Sequence, residues 1–122
     1  MTKPAEKALI KAFKEEIHKS YTLGPPKDKD SSRLIDSWVE LMKVAEPKKI
    51  TGTTDWEVTY TYTYVRDTEI SEGYGTVNCE KYELTVKIDE HGKVTGNSRN
   101  ELKGLYSRQM EEDAQGTVLI VK

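Results

Sequence analysis

The chain has 122 residues, 33% of them charged, with 19 Lys and Arg against 21 Asp and Glu and a formal net charge of −2. That length suits one domain around one core, residues 1–122. The near-balance of charge argues against a dedicated binder of duplex nucleic acid, which needs a basic face, and equally against an acidic mimic of DNA.

The chain begins Met-Thr-Lys-Pro-Ala-Glu-Lys, without the apolar run of a signal peptide, and no stretch approaches the ~20 apolar residues of a membrane span. A cytoplasmic protein with no membrane partner is the expectation. Residues 3–20 predict a helix. Leu9, Ile10, Phe13 and Ile17 form a stripe at helical spacing, with Ala5 and Ala12 beside it. Thr2 suits the cap and Pro4 the first turn, where a missing N–H costs little. Gly24-Pro25-Pro26 cannot continue a helix. Residues 32–46 predict a second helix, capped by Asp30 or Ser31 and ended by Pro47. Its buried side would carry Leu34, Ile35, Trp38, Leu41, Met42 and Ala45.

Residues 56–65 alternate strictly. Trp56, Val58, Tyr60, Tyr62 and Tyr64 take one parity, and Glu57, Thr59, Thr61 and Thr63 the other. This is a strand with one buried and one wet face. Ile50 shares the buried parity, so the strand can begin there. Trp56, Tyr60, Trp38 and Phe13 are expected to share one core. Residues 66–73 read as a polar turn, and 73–88 as a second strand whose parity changes midway. Val77 and Cys79 are odd, whereas Tyr82, Leu84, Val86 and Ile88 are even. A β-bulge near Glu80-Lys81 would bring both sets to one face. Asp89-Glu90-His91-Gly92 is a hairpin turn, with Gly92 in the left-handed position. Pairing Ile88 with Val94 and counting back through the bulge sets Cys79 opposite Leu102, Val77 opposite Gly104 and Gly75 opposite Tyr106. Residues 107–115 are polar, a loop or short helical turn. Residues 117–121 form a last strand, apolar on both parities. It and the 50–65 strand would be the two edges.

The predicted fold class is therefore α+β: two N-terminal helices packed on one face of a curved four-stranded antiparallel meander. In architecture alone this order resembles a cystatin-like or NTF2-like cone.

Chemistry-bearing motifs are scarce. His18 lies at the end of a helix stripe and His91 in a turn, and neither has metal-ligand spacing with the lone Cys79. No disulfide can form within the chain, which fits a reducing compartment. Asp28-Lys29-Asp30-Ser31-Ser32 and Asp36 echo a calcium loop, but Arg33 and Val39 occupy the positions of its glycine and its bidentate glutamate. The stretch reads better as a solvated loop and cap. Glu15, Glu16, Asp36 and Glu40 are carboxylates on predicted helices, where the wet face accounts for them. No cofactor and no metal are expected.

Two surfaces remain. A pocket between helices and sheet would be lined by Tyr60, Tyr62, Tyr82, Ser98 and Asn100. The opposite sheet face, with Thr59, Thr61 and Thr63, and the edge strand, with Leu119 and Val121, would meet a protein partner or a second copy. The expected function is that of a small, soluble, non-enzymatic protein that binds a macromolecular partner in an accessory, regulatory or inhibitory role. The alternative is a small-ligand-binding or enzymatic protein of the cone type, with His18 or Asp36 as base.

Overall fold

The structure is a computed structural model and describes residues 3–25, 34–71, 74–96, 98–108 and 117–122. Helix α1 (Glu6–Ser20) forms where the apolar stripe predicts it, burying Leu9, Ala12, Phe13 and Ile17. Pro4 lies ahead of the helix rather than in its first turn, and extended Ala5 takes the N-cap place. The expected caps Thr2, Asp30 and Ser31 lie outside the described residues, as does the Asp28–Ser32 stretch.

The second predicted helix does not form; its place is taken by strand β1 (Leu34–Val44). Both periods are present in this segment. Besides the helical stripe, Ser37, Val39 and Leu41 alternate, and all three are buried. Tertiary pairing decides between them. Strand β3 (Trp56–Ser71) is sixteen residues long, and β1 satisfies one of its backbone edges from Leu34↔Thr68 to Val44↔Tyr60. Strand β2 (Lys48–Lys49) extends this pairing to Glu57 and Trp56. The chain then turns through 50–55, with Gly52 at φ 80°. So β3 begins at Trp56, not Ile50, and is interior, not an edge. It also runs through most of the stretch expected to be a turn at 66–73.

Strand β4 (Tyr74–Ile88) pairs with β3 without a break from Trp56↔Ile88 to Glu69↔Gly75. This overturns the bulge expected in β4. The parity change is a change of buried face. Val58, Tyr60, Tyr62, Leu84, Val86 and Ile88 pack under α1, whereas Val65, Val77 and Cys79 form a second cluster with Trp38. Alternation puts that cluster on the face away from the helix. Trp38 pairs with Val65, so it does not share the core of Phe13 and Tyr60. Its Nε1 donates to Glu40 Oε2 at 2.9 Å. Glu40 is buried there, as is Thr63, so the face read as wet is partly a core of its own.

Strand β5 (Arg99–Arg108) carries the bulge instead. Its pairing with β4 runs from Thr85↔Arg99 to Tyr82↔Leu102 and resumes at Lys81↔Gly104, leaving Lys103 as the extra residue. Cys79 therefore faces Tyr106, and the expected pairs with Leu102 and Gly104 are not made. The Ile88↔Val94 bridge and the turn before it do form. Gly92 has φ 85°, and a Cβ there would stand 2.8 Å from the Ala8 Cβ, so glycine lets the hairpin press on α1.

Strand β6 (Leu119–Val121) pairs with β1, giving the order β5-β4-β3-β1-β6. Among the described residues the fold is one helix on a six-stranded antiparallel sheet, mostly sheet. The two-helix, four-stranded cone is thereby corrected. No described helix is long and apolar enough to cross a membrane.

Candidate functional site

Helix α1 covers only part of its sheet face. Phe13 sits on Tyr60 and Tyr62, with ring centroids 5.0 and 5.6 Å away, and the Tyr60 hydroxyl donates to the Leu9 carbonyl at 2.7 Å. The helix runs on past Phe13 to bury Ile17 and ends at Ser20. Tyr21, extended after the last turn, lays its ring over the next strip of sheet.

There the tyrosines gather. Tyr21 lies 4.5 Å from Tyr64 and meets Tyr62 edge-on at 6.3 Å, and Tyr62 stacks on Tyr82 at 5.3 Å. Asn100 Nδ2 donates to the Tyr62 oxygen at 2.7 Å, and the Tyr21 and Tyr62 hydroxyls share a hydrogen bond of 2.9 Å. The Tyr82 hydroxyl donates to Glu80 Oε1 at 3.0 Å. Arg66 pairs with the same carboxylate at 3.7 Å while its guanidinium lies 5.9 Å from the Tyr64 ring. Leu102 pairs with Tyr82 and Leu105 with Glu80, so both stand on this face, 50% and 68% exposed. The result is a half-open aromatic shelf bordered by two bare leucines.

Burial keeps the phenols of the shelf protonated. Burial, then the bond to Tyr62, pushes the Tyr21 hydroxyl far above the usual tyrosine range. Burial also raises Tyr60 and Tyr62, and it raises Tyr82 to about 12, helped by the Glu80 carboxylate. Protonated phenols donate hydrogen bonds and stack; they do not take protons at neutral pH.

Of the residues predicted to line a pocket, Tyr62, Tyr82 and Asn100 come together here. Tyr60 is fully buried under Phe13, and Ser98 is exposed ahead of β5, without a bond to the tyrosines. The predicted interaction face divides. Thr59 and Thr61 are half-buried, with Thr59 bonded to Thr85 at 3.1 Å, and Thr63 is buried. Leu119 and Val121 pair with Leu41 and Val39 and turn toward the helix side, whereas Ile120 is 48% exposed. Reading by sequence missed Tyr21, Tyr64, Glu80 and Arg66. Tyr21 continues the Phe13, Ile17 spacing, and the other three share the even parity of β3 and β4. Leu105 was missed because the bulge was placed in the wrong strand.

The polar candidates stay apart from the shelf. His18 Nε2 lies 3.1 Å from the Lys122 carbonyl, His91 is exposed in its turn, and Cys79 is buried on the far face. Asp36 and Asp67 are cross-strand neighbours, and burial, then the Asp36 charge, raises Asp67. Among the described residues no three His, Cys, Asp or Glu side chains gather as metal ligands. An open concavity of about 840 Å³ along α1, between Ala5, Ala8, Ile10 and His91, is rimmed by Lys7, Lys11 and Lys14. No protein-family model, curated protein or solved structure matches the chain.

Proposed function

We propose that the protein is non-enzymatic and acts by binding a macromolecular partner, through the β5 edge and the tyrosine shelf beside it. The observation that carries this reading is β5 itself. It closes one side of the sheet over ten residues, with Leu102, Leu105 and Tyr106 at 50%, 68% and 44% exposure. An edge strand offers a row of backbone donors and acceptors to an added strand, and exposed apolar side chains on it supply contact area. Tyr82 and Tyr64 extend that area with rings already held by stacking, so little side-chain entropy is lost on binding. The filling of the space beneath the helix by Phe13, Tyr60 and Tyr62 speaks for a surface rather than a buried ligand. A reducing, cytoplasmic setting belongs to the same reading, supported by a single cysteine, Cys79, that is buried.

The test is capture of binding partners with the intact chain as bait, against Leu105→Lys and Tyr82→Ala. Both positions are outside the closed core, so the baits should stay folded by circular dichroism. Loss of the same captured species with both variants is expected. Capture unchanged by either would remove the shelf and edge as the docking site.

A further inference from the structure

We infer that β5 pairs with the β5 of a second copy of this chain, antiparallel and edge to edge, about a two-fold axis between Lys103 and Gly104. This rests on the reading of β5 as a docking edge and names its occupant. The bulge is what points to it. Asn100, Leu102, Leu105 and Ser107 pair with Leu84, Tyr82, Glu80 and Asn78 and so share the helix-side face. Arg99, Glu101 and Tyr106 pair with Thr85, Glu83 and Cys79 on the other face, and Gly104 pairs with Lys81 there. Lys103 reaches Glu83 at 3.9 Å and Glu101 at 3.3 Å, so it too stands on that other face.

Read from Arg99 to Arg108, the faces run out, in, out, in, out, out, in, out, in, out. The pattern is the same in both directions. In a strand of strict alternation, a two-fold axis between two residues would set inward positions against outward ones. The extra residue at Lys103 removes that conflict. Leu102 then meets Leu105 of the second copy, and its Leu102 meets Leu105 in turn, which covers the two bare leucines twice over. Asn100 faces Ser107, and Glu101 faces Tyr106. Lys103 faces Gly104, where an added Cβ would find nothing within 4 Å, so the stem of the lysine has room. Lysine and a bulge ordinarily guard an edge. Here Glu83 and Glu101 already neutralise Lys103, and the bulge aligns the faces. The one like-charge pairing, Arg99 with Arg108, falls at the ends, where salt screens it. An unrelated strand would not require this two-way reading; a closed, isologous dimer does.

The experiment uses the full chain. Sedimentation over a wide concentration range should shift the unmodified protein from the mass of one chain to that of two, and Leu105→Lys should hold it at one. Register is read by mild oxidation of the double variant Leu102→Cys, Leu105→Cys. Directly opposed residues lie within disulfide reach, so linked dimers should form about tenfold or more faster than with either single variant. All variants should keep the native circular dichroism, since both leucines are exposed. Monomer alone at every concentration overturns the inference, and so do single variants, Leu102→Cys or Leu105→Cys alone, that link as fast as the double one. The two readings fail separately. A monomer that loses its captured partner on Leu105→Lys sinks the dimer and keeps the docking edge. A β5 dimer that captures partners equally well with Leu105→Lys and Tyr82→Ala keeps the dimer and removes β5 as the site for other macromolecules.

Discussion

The two ends of the long β3–β4 ribbon are built differently. At the near end, Val58, Tyr60, Tyr62, Leu84, Val86 and Ile88 are buried under α1, and the other face is largely threonine and charge. At the far end the buried face is the opposite one, with Val65, Val77 and Cys79 beside Trp38. The helix-side face there is the open tyrosine shelf. Length explains the change. Sixteen residues of strand extend roughly 50 Å, whereas fifteen residues of helix reach roughly 22 Å. One short helix cannot cover the ribbon, so the apolar pattern changes sides where the cover ends. The lesson is that a parity shift in a strand can report the limit of its covering layer rather than a defect in the strand.

The largest break in this comparison should come from Phe13→Ala, which empties the centre of the near core. A loss of about 3–5 kcal/mol in urea melts is expected. A loss under about 1 kcal/mol would mean that the helix is not what closes this end. Val65→Ala probes the far end. Removing its two buried methyl groups from a smaller cluster should cost about 2 kcal/mol, and the same value measured with Phe13→Ala already present would show that the two clusters are independent. Additivity failing by more than about 1 kcal/mol would join them into one core.

Smaller effects sharpen the border between the ends. Tyr62→Phe keeps the ring against Phe13 and Tyr82 but deletes the hydroxyl that meets Tyr21 and Asn100. About 1 kcal/mol should be lost, with the Tyr21 signal in aromatic NMR spectra shifting while Phe13 stays in place. The last effect is seen only in alkali. Tyr82 is raised to about 12, and Tyr21, Tyr60 and Tyr62 are raised as well, so the folded state holds these protons longer than the unfolded chain, where tyrosines ionise near about 10. The stability they contribute is complete below about pH 10 and is lost as pH rises through their folded values. Urea midpoints should therefore agree between about pH 7 and about pH 9 and fall by about pH 11, together with the rise of phenolate absorbance. A midpoint unchanged at the alkaline end would show that the phenols are not held in the native packing.

The sequence by itself determined the local elements whose pattern admits one reading. The Leu9, Phe13, Ile17 stripe makes a helix, the 56–65 alternation makes a strand, and Asp89-Glu90-His91-Gly92 turns the chain so that Ile88 meets Val94. It also brought Tyr62, Tyr82 and Asn100 into one proposed neighbourhood, because parity is a local property. Only the tertiary structure decided the rest. Residues 34–44 carry a helical stripe and a strand alternation at once, and the unpaired edge of β3 selected the strand. Val77 and Cys79 follow a parity that is equally compatible with a bulge or with burial on the other face, and the short reach of α1 selected the latter. The bulge at Lys103 depends on how β5 slides along β4, which nothing within β5 reveals. Periodicity states which side chains share a face; it does not state what covers that face. Cover comes from segments distant along the chain, whose pairing is settled only when the backbone groups of the whole sheet are satisfied together.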